Sequence, residues 1–145
     1  MFLMKSIKIH TFNPKNAENE FVVYVLCKGL NSGKPLEKPC PNCFVIVCKN
    51  QAEKDFYTTL LWGLWKIKYF QQFLVGSVIP FLRIGDFKTQ INLQAQAVSV
   101  KPNDFNADVQ KVKLLEEQQK RYYEQITLIN DIKRALIYRH FHSKR

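Results

Sequence analysis

The sequence predicts a mixed α/β fold of the α+β kind, a small mixed or antiparallel sheet packed on one buried helix and followed by a long C-terminal helix. Three observations carry that expectation. Short runs rich in Val, Ile, Phe and Tyr crowd the first 48 residues. An apolar run with helical spacing follows from Gln51, and a heptad spacing occupies the last third.

In chain order, residues 5–11 alternate, with Ile7 and Ile9 on one side and Lys8 and His10 on the other, as expected of a strand with one wet face. Residues 20–27, carrying Phe21-Val22-Val23-Tyr24-Val25-Leu26, are predicted as a buried strand. Residues 28–42 gather Gly29, Asn31, Ser32, Gly33, Pro35, Pro39 and Pro41, a density of turn formers and helix breakers that leaves a long loop. Residues 43–48 form the third strand.

From Gln51 to about Gln72 the spacing is helical, with Asn50 as N-cap and Glu53 and Asp55 in the first turn. Phe56, Leu60, Leu61, Leu64, Trp65, Tyr69 and Phe70 leave little polar face, which makes this helix the core element. Residues 76–80 turn the chain, 81–84 make a short extended piece, and 89–93 are predicted as one more strand. The last helix runs from about Phe105 to Phe141, after the capping candidates Asn103 and Asp104. Val112, Leu115, Gln119, Tyr122, Ile126, Ile129, Lys133 and Leu136 fall at alternating steps of three and four along it. About 37 residues at ~1.5 Å each give a rod of roughly 55 Å, more than a small domain can cover. It is expected to pack against another helix, of this chain or of a partner. The division is an α/β domain over residues 1–102 and a coiled-coil or dimerisation helix over 103–145.

A chain of 145 residues with 46% hydrophobic and 23% charged side chains has enough apolar mass for one core, which argues against a disordered tail or a two-domain machine. Lys and Arg number 22 against 12 Asp and Glu, a net charge of +10 that biases partners toward polyanions or acidic surfaces. Ten basic and five acidic residues precede the cut after Gln72, and twelve and seven follow it, so each half carries +5 and no basic arm holds the excess. The apolar start Met1-Phe2-Leu3-Met4 is broken by Lys5, too short for a secretory signal. The uncharged stretches 56–65 and 69–82 fall short of the roughly twenty residues of a spanning helix. Four cysteines without export are expected as reduced thiols, in a cytoplasm.

Cys40-Pro-Asn-Cys43 is the most conspicuous short motif, since two thiolates at that spacing can grip one Zn²⁺, with Cys27 and Cys48 as third and fourth ligands. Against zinc, Cys27 and Cys48 end apolar strands, where free Cys is a common small hydrophobe, and no second paired knuckle exists. No cofactor is therefore expected. A redox pair needs a helix start, and a strand follows here. Gly29-Leu-Asn-Ser-Gly33-Lys34-Pro35 has three residues between its glycines where a phosphate loop has four, Pro35 where Ser or Thr must hold Mg²⁺, and no helix after it. It reads as a surface hairpin or lid, made basic by Lys28, Lys34 and Lys38. His10, His140 and His142 read as solvated, and no catalytic constellation is visible. Trp62, Trp65, Tyr69 and Phe70, interleaved with Lys66 and Lys68, could stack bases in a groove; aromatics at helical spacing are more often core, with lysines reaching outward.

One stretch exceeds generic patterning. Helix residues 57–73, then Gly76-Ser77-Val78-Ile79-Pro80-Phe81-Leu82-Arg83-Ile84-Gly85-Asp86-Phe87-Lys88, then Leu115-Glu-Glu-Gln-Gln119-Lys120 opening a long helix, resemble the second half of a target-recognition domain from type I restriction-modification specificity subunits. In that family a helix leads into a "G-S/T-x-I-P-x-L-x-x-x-D-L/F" turn, a strand, and an "L-x-E-Q-x-x-I" helix. Gly76 permits a tight exit, Pro80 fixes extended backbone that directs Ile79 and Leu82 inward, and Asp86 caps the turn before Phe87. The resemblance covers residues 43–136. It implies a recognition domain that reads DNA, joined to a helix that forms an antiparallel coiled coil with a second copy and docks methyltransferase subunits. A full subunit carries two such domains, and by the resemblance this chain would hold one shortened copy. Residues 28–44 resemble a family of small bacterial proteins of unassigned function.

The expectation is thus a non-catalytic protein that binds double-stranded DNA and forms a homodimer through its last helix. Lys34, Lys38, Lys66, Lys68, Arg83 and Lys88 would meet phosphates, and residues 28–42 would read sequence. The alternative is a protein-interaction module of a mobile-element or defence locus that has kept the fold but lost DNA binding. An even spread of charge favours that alternative.

Overall fold

The structure is a computed structural model describing residues 7–16 and 19–141, so Met1–Met4, Lys5 and His142 lie outside the described residues. Four strands, β1 (Lys8–Thr11), β2 (Val22–Leu26), β3 (Pro35–Leu36) and β4 (Cys43–Val47), form one antiparallel sheet in the order β1-β4-β2-β3. Three helices follow, α1 (Gln51–Lys66), α2 (Ile84–Val98) and α3 (Pro102–Tyr138), with a 3₁₀ turn over Tyr69–Phe73. The chain divides into two compact units, residues 1–102 and 103–145. No helix among the described residues is long and apolar enough to cross a membrane.

Register separates the faces of the sheet. Ile9, Ile46 and Val23 lie opposite one another across β1, β4 and β2, and so do Thr11, Phe44 and Val25. This face meets the helices, where Phe44 packs on Phe87 of α2 at 5.2 Å between ring centres and Phe87 packs on Phe70 at 5.6 Å. Leu60, Leu61 and Leu64 of α1 and Ile91 and Ala95 of α2 complete that core. The opposite face carries a second cluster of Val22, Tyr24, Cys43 and Val45, with Phe12 edge-on to Tyr24 at 6.0 Å.

Helix α1 begins as its sequence requires, with Asn50 in extended backbone accepting the Glu53 N–H at 2.9 Å. It ends at Lys66, short of the expected Gln72, because Lys68 turns left-handed at φ 58. The Lys68 N–H donates to the Trp65 carbonyl at 3.0 Å, an αL cap of the kind glycine usually supplies. Residues 28–42 are not all loop, because β3 pairs with β2 through Tyr24–Leu36 and Val25–Pro35, making 27–34 a hairpin connection.

The strand expected at 89–93 does not exist. Those residues lie in α2, where the buried Phe87, Ile91 and Ala95 repeat every four positions and Leu93 is exposed. Helix α3 starts at Pro102 instead of Phe105, with Asn103 and Asp104 inside its first turn, where proline and an acid are both at home.

Candidate nucleic-acid interface

The segment that carries the restriction-specificity resemblance forms a closed loop. Val75 and Phe81 exchange backbone hydrogen bonds of 3.0 and 2.9 Å, and Gly76 sits at φ 102, where an added Cβ would meet the Ile79 carbonyl oxygen at 2.9 Å. Gly29 N–H donates to the Pro80 carbonyl at 2.7 Å and Leu82 N–H to that of Cys27 at 2.8 Å, so the loop is stitched to the end of β2. Leu82 is buried as expected, at 3% exposure. Ile79 is 65% exposed, because the short span between Val75 and Phe81 turns its side chain out. Asp86 lies in the first turn of α2 and accepts from Arg83 Nε at 2.9 Å, instead of capping a loop turn. The helix that follows departs from the strand that the resemblance implies.

The hairpin between β2 and β3 lands on the end of α1. Gly33 N–H donates to Leu26 O at 2.7 Å and Leu26 N–H to Lys34 O at 2.9 Å, closing the hairpin. Trp65 Nε1–H donates to Asn31 Oδ1 at 3.3 Å, and Gln71 Nε2 donates to the Leu30 carbonyl at 3.3 Å. Between these elements lies an open cleft of about 160 Å³. Leu30, Asn31 and Ser32 line it from the hairpin, Trp65, Lys66 and Lys68 from the end of α1, and Phe70 and Gln71 from the 3₁₀ turn. No carboxylate is among its lining residues.

Two ammonium groups converge on one indole there. Lys34 Nζ lies 4.8 Å and Lys66 Nζ 4.6 Å from the Trp65 ring centre, and Lys66 is also 5.5 Å from Trp62. Of the six cations expected to meet phosphate, the structure thus gathers Lys34, Lys66 and Lys68. Lys38 and Lys88 are exposed and do not line the cleft, and Arg83 is engaged by Asp86. The aromatic set splits. Phe70 is core, at 1% exposure, and Tyr69 is tied to α2 by donating to Gln90 Oε1 at 2.6 Å and accepting from Gln94 Nε2 at 2.9 Å. Trp62 and Trp65 remain half-buried beside the lysines. Asn31 belongs to the loop expected to read sequence, whereas no local pattern marks Gln71; the hairpin's landing on α1 brings both to the cleft.

Residues 9–139 match the pattern of a family of unknown function (DUF6943). The chain belongs to that family. No curated protein and no solved structure matches it. The matched span of DUF6943 takes in the hairpin, the cleft and α3, so the features described here lie inside the family region.

The cysteines do not assemble a four-ligand set. Cys43 opens β4 and Cys48 follows its far end, five residues or about 16 Å away at ~3.3 Å per residue. Among the described residues no three His, Cys, Asp or Glu side chains are grouped to hold a metal. The Cys43 thiol donates to the Cys40 carbonyl at 3.0 Å. Burial raises the Cys43 and Cys48 thiols from the ordinary 9.0 to about 11, raises Cys27, and lifts the Tyr57 phenol to about 12. Raised values disfavour the thiolate that metal binding and disulfide exchange require. They also set a pH dependence. The unfolded chain loses these protons first, so stability is full below about pH 8.5 and falls as pH rises through 9 to 11, with Tyr57 extending the loss toward 12. Urea midpoints at pH 7.5, 9 and 10.5 should decline in that order; a constant midpoint would contradict the burial of these groups.

Helix α3 presents a different surface. Val109 is buried, whereas the heptad residues Val112, Leu115, Tyr122, Ile126, Ile129 and Leu136 are all exposed, between 40% and 68%. These residues make a long exposed apolar stripe at heptad spacing.

Proposed function

We propose that the chain is a non-catalytic DNA-binding protein, akin to a single reduced target-recognition domain, whose phosphate contacts centre on the end of α1. The observation that supports this reading is the convergence of Lys34 and Lys66 on Trp65, with Lys66 and Lys68 lining a cleft whose lining residues include no carboxylate. Two like charges held against one ring repel each other, and a phosphate relieves that repulsion. Lys68 adds a second argument. A lysine held in left-handed backbone carries a strain of about 1–2 kcal/mol that glycine would not. Such strain is commonly retained at working sites.

The test is a salt titration on random duplex DNA. Three neutralised phosphates give a slope of about −2.7 in log K against log salt, and each of Lys34→Gln, Lys66→Gln and Lys68→Gly should lower it by about 0.9. Lys68→Gly should do so without loss of thermal stability. Duplex binding no tighter than that of a charge-matched control protein, at about 0.15 M salt, would overturn the reading.

A second reading, a protein-interaction module that pairs with a second copy or docks an acidic partner or a methyltransferase subunit, is favoured by the apolar stripe of α3. The two readings are compatible, since the stripe and the cleft lie in different units of the chain.

A further inference from the structure

The cleft at Trp65 has a shape and chemistry that a duplex surface does not use. Its volume of about 160 Å³ falls below the ~300 Å³ at which ordinary small-molecule pockets begin. It is therefore a slot for one small group. The Trp65 indole, the Lys66 and Lys68 ammonium groups and the Asn31 and Gln71 amides are among the groups that line it. Paired bases in a duplex have both faces covered by their neighbours and offer only edges in the grooves. A ring face in a cleft can be met only by a base that has left the stack.

The slot is also preformed. The Asn31 acceptor fixes the indole N–H at 3.3 Å, Gln71 ties the turn to the Leu30 carbonyl, and Gly33 packs against the buried Phe70 beneath. A ligand entering it meets a backbone and an indole already held in place, and the rearrangement left to binding is that of Lys34 and Lys66, which lie over the ring.

We infer that this cleft binds an unpaired nucleotide, its base stacked on Trp65 and its flanking phosphates held by Lys34, Lys66 and Lys68. The inference rests on the DNA-binding reading and sharpens it to DNA containing single-stranded nucleotides. On binding, the ammonium groups move from the indole face to phosphate oxygens, and the base takes the face they leave.

The probe is a fluorescein-labelled twelve-nucleotide oligo(dT), compared by anisotropy with a twelve-base-pair duplex at about 0.15 M salt, near physiological ionic strength. The full chain should bind the single strand more tightly than the duplex. Trp65→Ala should weaken single-strand binding by about 5- to 150-fold, the range that stacking of one base is worth. Its effect on the duplex should be under twofold. Trp65→Phe, which keeps a stacking face, should restore most of the loss, a rescue that a merely structural role of the indole would not show. Lys66→Gln, a change at an exposed position, should weaken both probes whether or not the tryptophan variants fold. Duplex binding that survives with no single-strand preference, or a Trp65→Ala loss equal for both probes, overturns the stacking inference and leaves DNA binding standing. Absence of binding to either probe overturns both.

Discussion

Gly33→Ala is expected to destabilise the first unit by about 2–5 kcal/mol. Two costs coincide at this position. The backbone is at φ 97, where a side chain carries about 1–2 kcal/mol of strain. The new Cβ would overlap the Phe70 ring, approaching its Cε2 and Cγ at 2.8 and 2.9 Å and its Cδ2 more closely still. Phe70 cannot swing aside, since it is 1% exposed and wedged between Phe87 and Tyr69 at 5.6 and 5.5 Å between ring centres. Overpacking of that kind costs about 1–3 kcal/mol. Against a total stability of about 5–15 kcal/mol, the loss should lower Tm by ten degrees or more. Gly29→Ala supplies the control, because Gly29 has a similar φ of 90 but nothing within 4 Å of an added Cβ. The difference between the two variants reports the overlap alone. Phe70→Leu in the Gly33→Ala background should recover part of that difference, and a negative coupling in the double-mutant cycle would identify the contact. Equal losses for Gly29→Ala and Gly33→Ala would refute the packing of the hairpin on the 3₁₀ turn, and with it the construction of the cleft.

The same hairpin shows what was legible in the sequence and what was not. Gly29 and Gly33 could be read as turn residues from their spacing, and Lys34 as a surface cation. That the turn rests on Phe70 and offers Asn31 to Trp65 is a long-range contact, which no local pattern encodes. Asn50 and Glu53 announced the start of α1, because a cap and its partner lie three residues apart in the chain. The end of α1 was misplaced, since left-handed Lys68 replaces the glycine that usually signals a helix stop. Thr89 to Leu93 alternate polar and apolar residues as a strand would. The competing helical signal, Phe87-Ile91-Ala95, is spread over nine residues, while β-branched Thr89 and Ile91 favour a strand locally. Gln90 and Gln94, one turn apart, show the consequence, since both reach the Tyr69 hydroxyl. The site was half visible for a related reason. Lys66 and Trp65 adjoin in sequence, but Lys34 reaches them only through the fold.

Placing aspartate at Ile126 and Ile129 is expected to abolish the pairing of two copies through α3 proposed above. Both residues are more than half exposed on α3, at the centre of the run from Val112 to Leu136. Burying an isoleucine is worth about 1.5–3 kcal/mol, and a two-fold axis counts each side chain twice. Even the lower end of that range removes about four decades of association constant. Helix orientation follows from the two polar members of the seam. A parallel pair in register would set Lys133 against Lys133 and Gln119 against Gln119 in the apolar interior, and like charges there oppose pairing. An antiparallel pair centred near Glu124 sets Val112 opposite Leu136, Lys133 opposite Leu115 and Gln119 opposite Ile129. Lys133 then lies beside Glu116 and Glu117 of the other copy, which answers its charge. Sedimentation of the full chain between about 1 and 100 μM, a span in which an association of about −8 kcal/mol would titrate, should give a dimer for the wild type and a monomer for the double variant. Mixing Val112→Cys with Leu136→Cys protein under oxidising conditions should yield the mixed 112–136 cross-link, mapped by mass spectrometry, in preference to 112–112. A wild-type monomer across that range would refute self-pairing, and a dominant 112–112 product would refute the antiparallel arrangement while leaving the dimer. Because the substitutions lie in the second unit, melting of the first should be unchanged, and a dimer that fails without loss of DNA affinity would separate the two surfaces by function.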